Sequence, residues 1–74
     1  MQVREHRWFQ NREHGTGDLW QLQGSLDAAV LHYTIELNGL LVEDGQTNVP
    51  GDMSIAEFSA FLRHLINNAH ESQV

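Results

Sequence analysis

Five histidines, at positions 6, 14, 32, 64 and 70, are the residues of this 74-residue chain whose side chains could hold a metal or move a proton near neutral pH. Their spacing argues against both. A helical zinc site needs paired ligands such as His-x-x-x-His or His-Glu-x-x-His, and neither occurs. Cysteine is absent, which removes thiolate ligands and disulfide staples together. No Gly-rich phosphate loop leads from a strand into a helix, and no serine stands in a Gly-x-Ser-x-Gly elbow. His32 shares a strand face with Thr34 and Glu36, but Glu36 lies four residues on, about 13 Å away along an extended chain. His64 falls opposite the apolar stripe of a helix, and His70 falls near its end. His6 and His14 belong to a short echo, Arg4-Glu5-His6 and Arg12-Glu13-His14. They meet each other only if the N-terminal segment folds back. The loop Asp44 to Asp52, DGQTNVPGD, lacks the ligand spacing and closing glutamate of a calcium loop and reads as turn residues. The sequence therefore predicts a non-enzyme without catalytic residues, metal ligands or a cofactor.

The element that must position everything else is Leu31 to Glu43, LHYTIELNGLLVE. Leu31, Tyr33, Ile35 and Leu37 alternate with His32, Thr34, Glu36 and Asn38, the period of a half-buried strand. Asn38-Gly39 is the dipeptide of a two-residue type I′ turn, and Leu40, Leu41 and Val42 return as a second strand. A two-residue turn sets Leu37 against Leu40, Ile35 against Val42 and Tyr33 against Asp44. A competing reading has Ser25 capping a helix through Leu26, Val30, Tyr33 and Leu37, closed by Gly39. The cluster of β-branched and aromatic residues from Val30 to Ile35 favours the hairpin.

Around that hairpin the chain predicts an α+β fold: a small antiparallel β-meander of three to four strands packed against one C-terminal amphipathic helix. The strands are expected at about 7–12, 19–23, 29–37 and 40–44, with 1–5 and 71–74 frayed. Gly15-Thr16-Gly17-Asp18 makes one turn, and Gly24 to Ala28 makes the next connection. The helix is expected over about 55–69. Ser54 and Glu57 form a capping box ahead of it, and Met53 with Phe58 takes the staple positions. Ile55, Phe58, Phe61, Leu62, Leu65, Ile66 and Ala69 project as one stripe, and Glu57, Ala60, His64 and Asn68 lie behind it.

One helix covers one face of a sheet. The other face should carry Thr34, Glu36, His32 and Leu41, together with Leu19 and one of Trp8 or Phe9. A few apolar residues framed by charge read as a protein-binding patch, and the candidate contact residues are Trp8, Leu19, Thr34, Glu36, Leu41, Glu43 and Asp44. Charge supports a protein partner. Four arginines and no lysine stand against ten acids, for a net charge of −6, which leaves little to neutralise phosphates in direct nucleic-acid binding. No apolar run reaches the length of a membrane span, and MQVREHRWFQ lacks the apolar core of a signal peptide, so a cytoplasmic location is expected. The sequence points first to a small acidic adaptor or inhibitor that occludes a partner protein's surface, as phage-encoded or accessory inhibitors of this size and charge do. The rival is a structural homodimer or assembly subunit using the same face or a strand edge. A nucleic-acid mimic and a metal module on His6 and His14 rank below these.

Overall fold

The computed structural model describes every residue except Arg12, His14 and Val74. It is an α+β fold in which four antiparallel strands follow one another as a meander and one helix closes the chain. β1 (Gln2–Asn11), β2 (Thr16–Asp27), β3 (Val30–Leu37) and β4 (Leu40–Asn48) lie side by side in that order. The helix, α1 (Ile55–Gln73), lies across β1 and β2. Residues 25–38 are strand, turn and strand, so the helical reading of that stretch is overturned. The stiff side chains of Val30, Tyr33, Thr34 and Ile35 suit a pleated ladder, and β2 offers them a partner along its whole length.

The elements run longer than their sequence patterns. Met1 to Glu5 is not frayed, because β2 continues past Gly24 to Asp27 and pairs Gln2 with Ser25 and Val3 with Gly24. Gly24 is part of the ladder rather than a connection. A Cβ there would stand 2.6 Å from the carbonyl oxygen of His32, so only glycine lets β2 and β3 approach at this point. The turn after β2 is Ala28-Ala29, with Ala28 at φ 55°. In the next hairpin Asn38 (φ 52°) and Gly39 (φ 87°) both take the left-handed conformation that a type I′ turn demands. Asn38 is also fastened to β2: its Oδ1 accepts the Leu19 N–H at 2.9 Å, and its Nδ2 donates to Asp18 at 3.1 Å.

The register of β3 with β4 departs from the uninterrupted hairpin. Leu37 stands opposite Leu40 and Glu36 opposite Leu41, but Ile35 stands opposite Glu43 and Tyr33 opposite Gly45. A bulge leaves Val42 as the extra residue. Val42 still packs on the core, whereas Leu40 is 73% exposed rather than part of the buried face.

Trp20, Leu22, Leu31, Ile35, Val49, Leu62, Ile66 and Ala69 form the buried core between sheet and helix. The capping box forms as the sequence requires: Ser54 Oγ accepts the Glu57 N–H at 3.1 Å, and Glu57 Oε1 accepts the Ser54 N–H at 3.2 Å. Ile55 belongs to the stripe by spacing but is 91% exposed, as the first residue of α1. The helix does not end near residue 69, as its spacing suggests, but continues to Gln73. The His70 ring stacks on Phe9 at 3.9 Å between centroids and meets Trp20 edge to face at 5.5 Å, which holds the last turns down. Along its flank, Ser59 Oγ donates to Glu5 Oε2 at 2.6 Å and Arg7 donates to the Asn67 side chain, so α1 is tied to β1 by polar contacts as well.

Candidate functional site

Alternation along the strands sorts each residue to the helix side or the open side of the sheet. On β1, Val3, Glu5, Arg7 and Phe9 turn toward α1, and Gln2, Arg4, His6, Trp8 and Gln10 turn away. The pairing carries this across the sheet in rows. Trp8 stands beside Leu19, His6 beside Gln21 and then Glu36 and Leu41, Arg4 beside Gln23, Thr34 and Asp44, and Gln2 beside Ser25, His32 and Gln46. No element of the described chain covers this face.

Six of the seven residues expected to contact a partner lie here. Trp8, 63% exposed, and Leu19 are direct cross-strand neighbours near one end of the sheet. Leu41, 60% exposed, sits beside Glu36 on the other side of the face, and Asp44 sits beside Thr34 one row on. Exposed aromatic and aliphatic groups are thus framed by two carboxylates. Glu43 is placed otherwise. The bulge at Val42 turns it to the helix side, where it accepts a hydrogen bond from the Tyr33 hydroxyl at 3.4 Å. An unbulged strand would have sent Glu43 out with Leu41 and Asp44 in. One inserted residue reverses the pair.

Tyr33 records that arrangement in its ionisation. Burial raises its pKa above the usual value of 10.0, the Glu43 charge raises it further, and their hydrogen bond adds to the effect. The remaining open face is a shallow polar basin of about 610 Å³ lined by Gln23, Ser25, His32, Thr34, Asp44 and Gln46. Its side chains include amides, hydroxyls, His32 and the Asp44 carboxylate, which can form hydrogen bonds.

The histidines are dispersed. His6 and His32 are on the open face two strands apart, His64 is exposed on the outer side of α1, and His70 is in the aromatic stack. His14, half of the suggested pair with His6, lies outside the described residues. Among the described residues no three His, Asp or Glu side chains converge on a common point. No described helix is long and apolar enough to cross a membrane.

The aromatic stack of Arg7, Phe9, His70 and Trp20 was not legible in the sequence. Arg7 lies 4.7 Å above the Phe9 ring on one side, and His70 stacks on the ring as well. Phe9 reads as half of an ambiguous Trp8-Phe9 pair, and His70 as a residue in a fraying end. Only the crossing of α1 over β1 brings them together. Comparison of the chain with protein family models, with curated proteins and with solved structures found no match.

Proposed function

We propose that this protein is a non-catalytic, protein-binding module, an acidic adaptor or inhibitor that covers part of a partner's surface with the open face of its sheet. The observation that carries the reading is Trp8, 63% exposed and paired across strands with the half-buried Leu19, on a face that α1 leaves bare, with exposed Leu41 on the same face. Large exposed aromatics seated among polar groups are the usual anchors of protein interfaces. Glu36 and Asp44 beside them, in a chain of net charge −6, favour a partner whose contact surface is basic. Trp8 is the anchor, Leu19 its support, Leu41 a second apolar contact, and Glu36, Asp44 and Thr34 the polar rim.

The test is a matched capture experiment. Wild-type protein, Trp8→Ala and Leu41→Lys are immobilised at equal density and exposed to lysate from the source cell. The reading expects one stoichiometric partner retained by wild type and lost tenfold or more from both variants. The partner's own activity is then assayed with and without the bound module, which separates an inhibitor from an adaptor. Equal retention by all three baits would remove the open face from the interaction.

A further inference from the structure

β1 and β4 are the two edges of the sheet, and they are built differently. β4 carries the bulge at Val42 with Glu43 and Asp44 beside it, two devices that blunt an edge against further pairing. β1 runs for 10 residues in unbroken register with β2, without proline or bulge, and none of its residues is buried. Its outward backbone groups follow from the ladder. Met1 and Leu26 exchange both backbone hydrogen bonds, so odd-numbered residues of β1 bond β2, and even-numbered ones point N–H and C=O away from the sheet. His6 agrees with that parity, since its N–H is taken by the Glu5 carboxylate at 3.1 Å rather than by β2. Gln2, Arg4, His6, Trp8 and Gln10 thus present a row of backbone donors and acceptors that no other strand of the described chain meets.

We propose that β1 pairs antiparallel with β1 of a second copy about a two-fold axis through His6, joining the two sheets into one. The sequence of β1 is its own complement in that register. Glu5 stands opposite Arg7 of the other copy, Arg4 opposite Trp8, Val3 opposite Phe9 and Gln2 opposite Gln10, with the two His6 rings meeting on the axis. Carboxylate meets guanidinium, cation meets indole and apolar meets apolar. Glu5 and Arg7 fall at non-hydrogen-bonded positions, where opposed side chains stand closest. Glu5 also changes partner: once His6 N–H bonds its counterpart's carbonyl, the carboxylate oxygen that held it is free for Arg7. The alternatives are poorer. An axis between two residues would oppose outward-facing residues to inward-facing ones. Axes through Arg4, Glu5 or Arg7 set like charges directly opposite, and an axis through Trp8 shortens the ladder and leaves Glu5 against Asn11.

The charges around the seam favour a second copy. Arg63 lies on the flank of α1 one turn from both Ser59 and Asn67, the residues that bond Glu5 and Arg7. Arg4, Arg7 and Arg63, three of the four arginines, therefore gather at this edge in a chain of net charge −6. A locally basic edge is where one acidic molecule most easily meets another. No carboxylate except Glu5 belongs to the paired stretch. Asp18 and Asp27 are on β2, Glu36 is on β3 beyond Gln21, Glu43 and Asp44 are on β4, and Glu13 follows β1. Asp52 precedes α1, and Glu57 and Glu71 stand near its two ends. Opposed residues share a face, so both helices lie on one side of the joined sheet and both open faces on the other. The inference does not rest on the open-face reading, because it uses the sheet edge and requires no other protein.

Sedimentation equilibrium of the purified chain from micromolar to millimolar concentration tests it. Wild type should show a monomer–dimer equilibrium, weakened at least tenfold by Glu5→Arg and by Arg7→Glu, each of which opposes like charges in its own homodimer. An equimolar mixture of the two variants should associate again, because each supplies the charge the other lacks. His6→Pro spares both side-chain ties to α1 and the β1–β2 ladder, so its circular dichroism should match wild type while its dimer is lost. It decides the matter if either charge variant fails to fold. Amide exchange reads the seam without mutation: protection of Arg4, His6, Trp8 and Gln10 should rise with concentration, and that of β4 should not. A wild-type protein that stays monomeric to millimolar concentration overturns the proposal. So does a dimer untouched by His6→Pro, a mixture of the two folded charge variants that remains monomeric, or protection that grows on β4 instead of β1.

Discussion

Tyr33 is the residue whose environment most directly reports the β3–β4 register. It is the chain's only tyrosine, so tyrosinate absorbance follows it without interference. Its pKa is raised by burial first and by Glu43 second. The neutral phenol is therefore favoured in the folded state, and its contribution to stability is complete below the unfolded value near 10.0. That contribution falls away as pH rises through the higher folded-state pKa. Glu43→Gln should move the absorbance midpoint down toward the ordinary value; an unmoved midpoint would mean that Glu43 does not face Tyr33 in solution. Ala28 supplies a second residue-scale prediction. A residue with a Cβ held at φ 55° is strained by roughly 1 kcal/mol, and Ala28 is exposed with nothing to gain from its methyl group. Ala28→Gly should leave the fold as stable or more stable by up to about 0.5 kcal/mol in urea denaturation, since relief of that strain at least offsets the added freedom of the unfolded chain; a clear loss of stability would show that Ala28 is not strained.

The helix shows how an element is held at both ends by different chemistry. At its start, the reciprocal Ser54–Glu57 bonds satisfy backbone donors that would otherwise be left open. Ser54→Ala should cost about 1 kcal/mol, with faster amide exchange confined to the first turn. At its far end, the anchor is the Phe9–His70 stack beside Trp20. His70→Ala should cost about 1 kcal/mol in aromatic contact alone and increase exchange in the last two turns of α1, while leaving the first turn protected. The opposite ordering of exchange would show that the helix end hangs free. Trp20 carries an internal tension. Its buried indole N–H has no hydrogen-bond partner among the described residues, a cost of about 1–3 kcal/mol that the packing around it offsets.

Across the whole molecule, one helix over a four-stranded sheet leaves surface that the chain cannot cover by itself. The exposed apolar residues do not scatter evenly. Trp8, Leu40 and Leu41 lie toward the hairpin end, and Met1 and Ile55 stand at the other end of a body 41 Å long. On the proposed reading, in which the open face meets a basic partner, its acidic groups act on encounter more than on the final contact. The rate of association with a partner should therefore fall as salt is raised from low to physiological strength, within a Debye length of about 8 Å. In Glu36→Gln with Asp44→Asn that salt dependence should flatten while the dissociation rate stays nearly constant. An unchanged salt slope would place the carboxylates outside the contact.

Much of this protein is written locally. The alternation from Leu31 to Leu37, the Asn38-Gly39 turn and the Ser54-x-x-Glu57 box each depend on residues within a few positions of one another, and each forms as its pattern requires. The meander with a closing helix follows from their order, because short turns join antiparallel neighbours and one amphipathic stripe must find one apolar face. Four features were decided only in three dimensions. Gly24 looks like a break until β3 is seen to crowd it. The residues from Gln2 to Glu5 look polar and unstructured until β2 extends to pair with them. The Val42 bulge, which exchanges Glu43 for Asp44 on the open face, arises from matching two ladders and has no marker in the sequence. The contact of Phe9 with His70 joins residues some sixty positions apart, and the angle at which α1 crosses β1 determines it. Local patterns dictate which elements form. Only their packing against one another selects which side chains remain on the surface, and those side chains are the ones that remain for function.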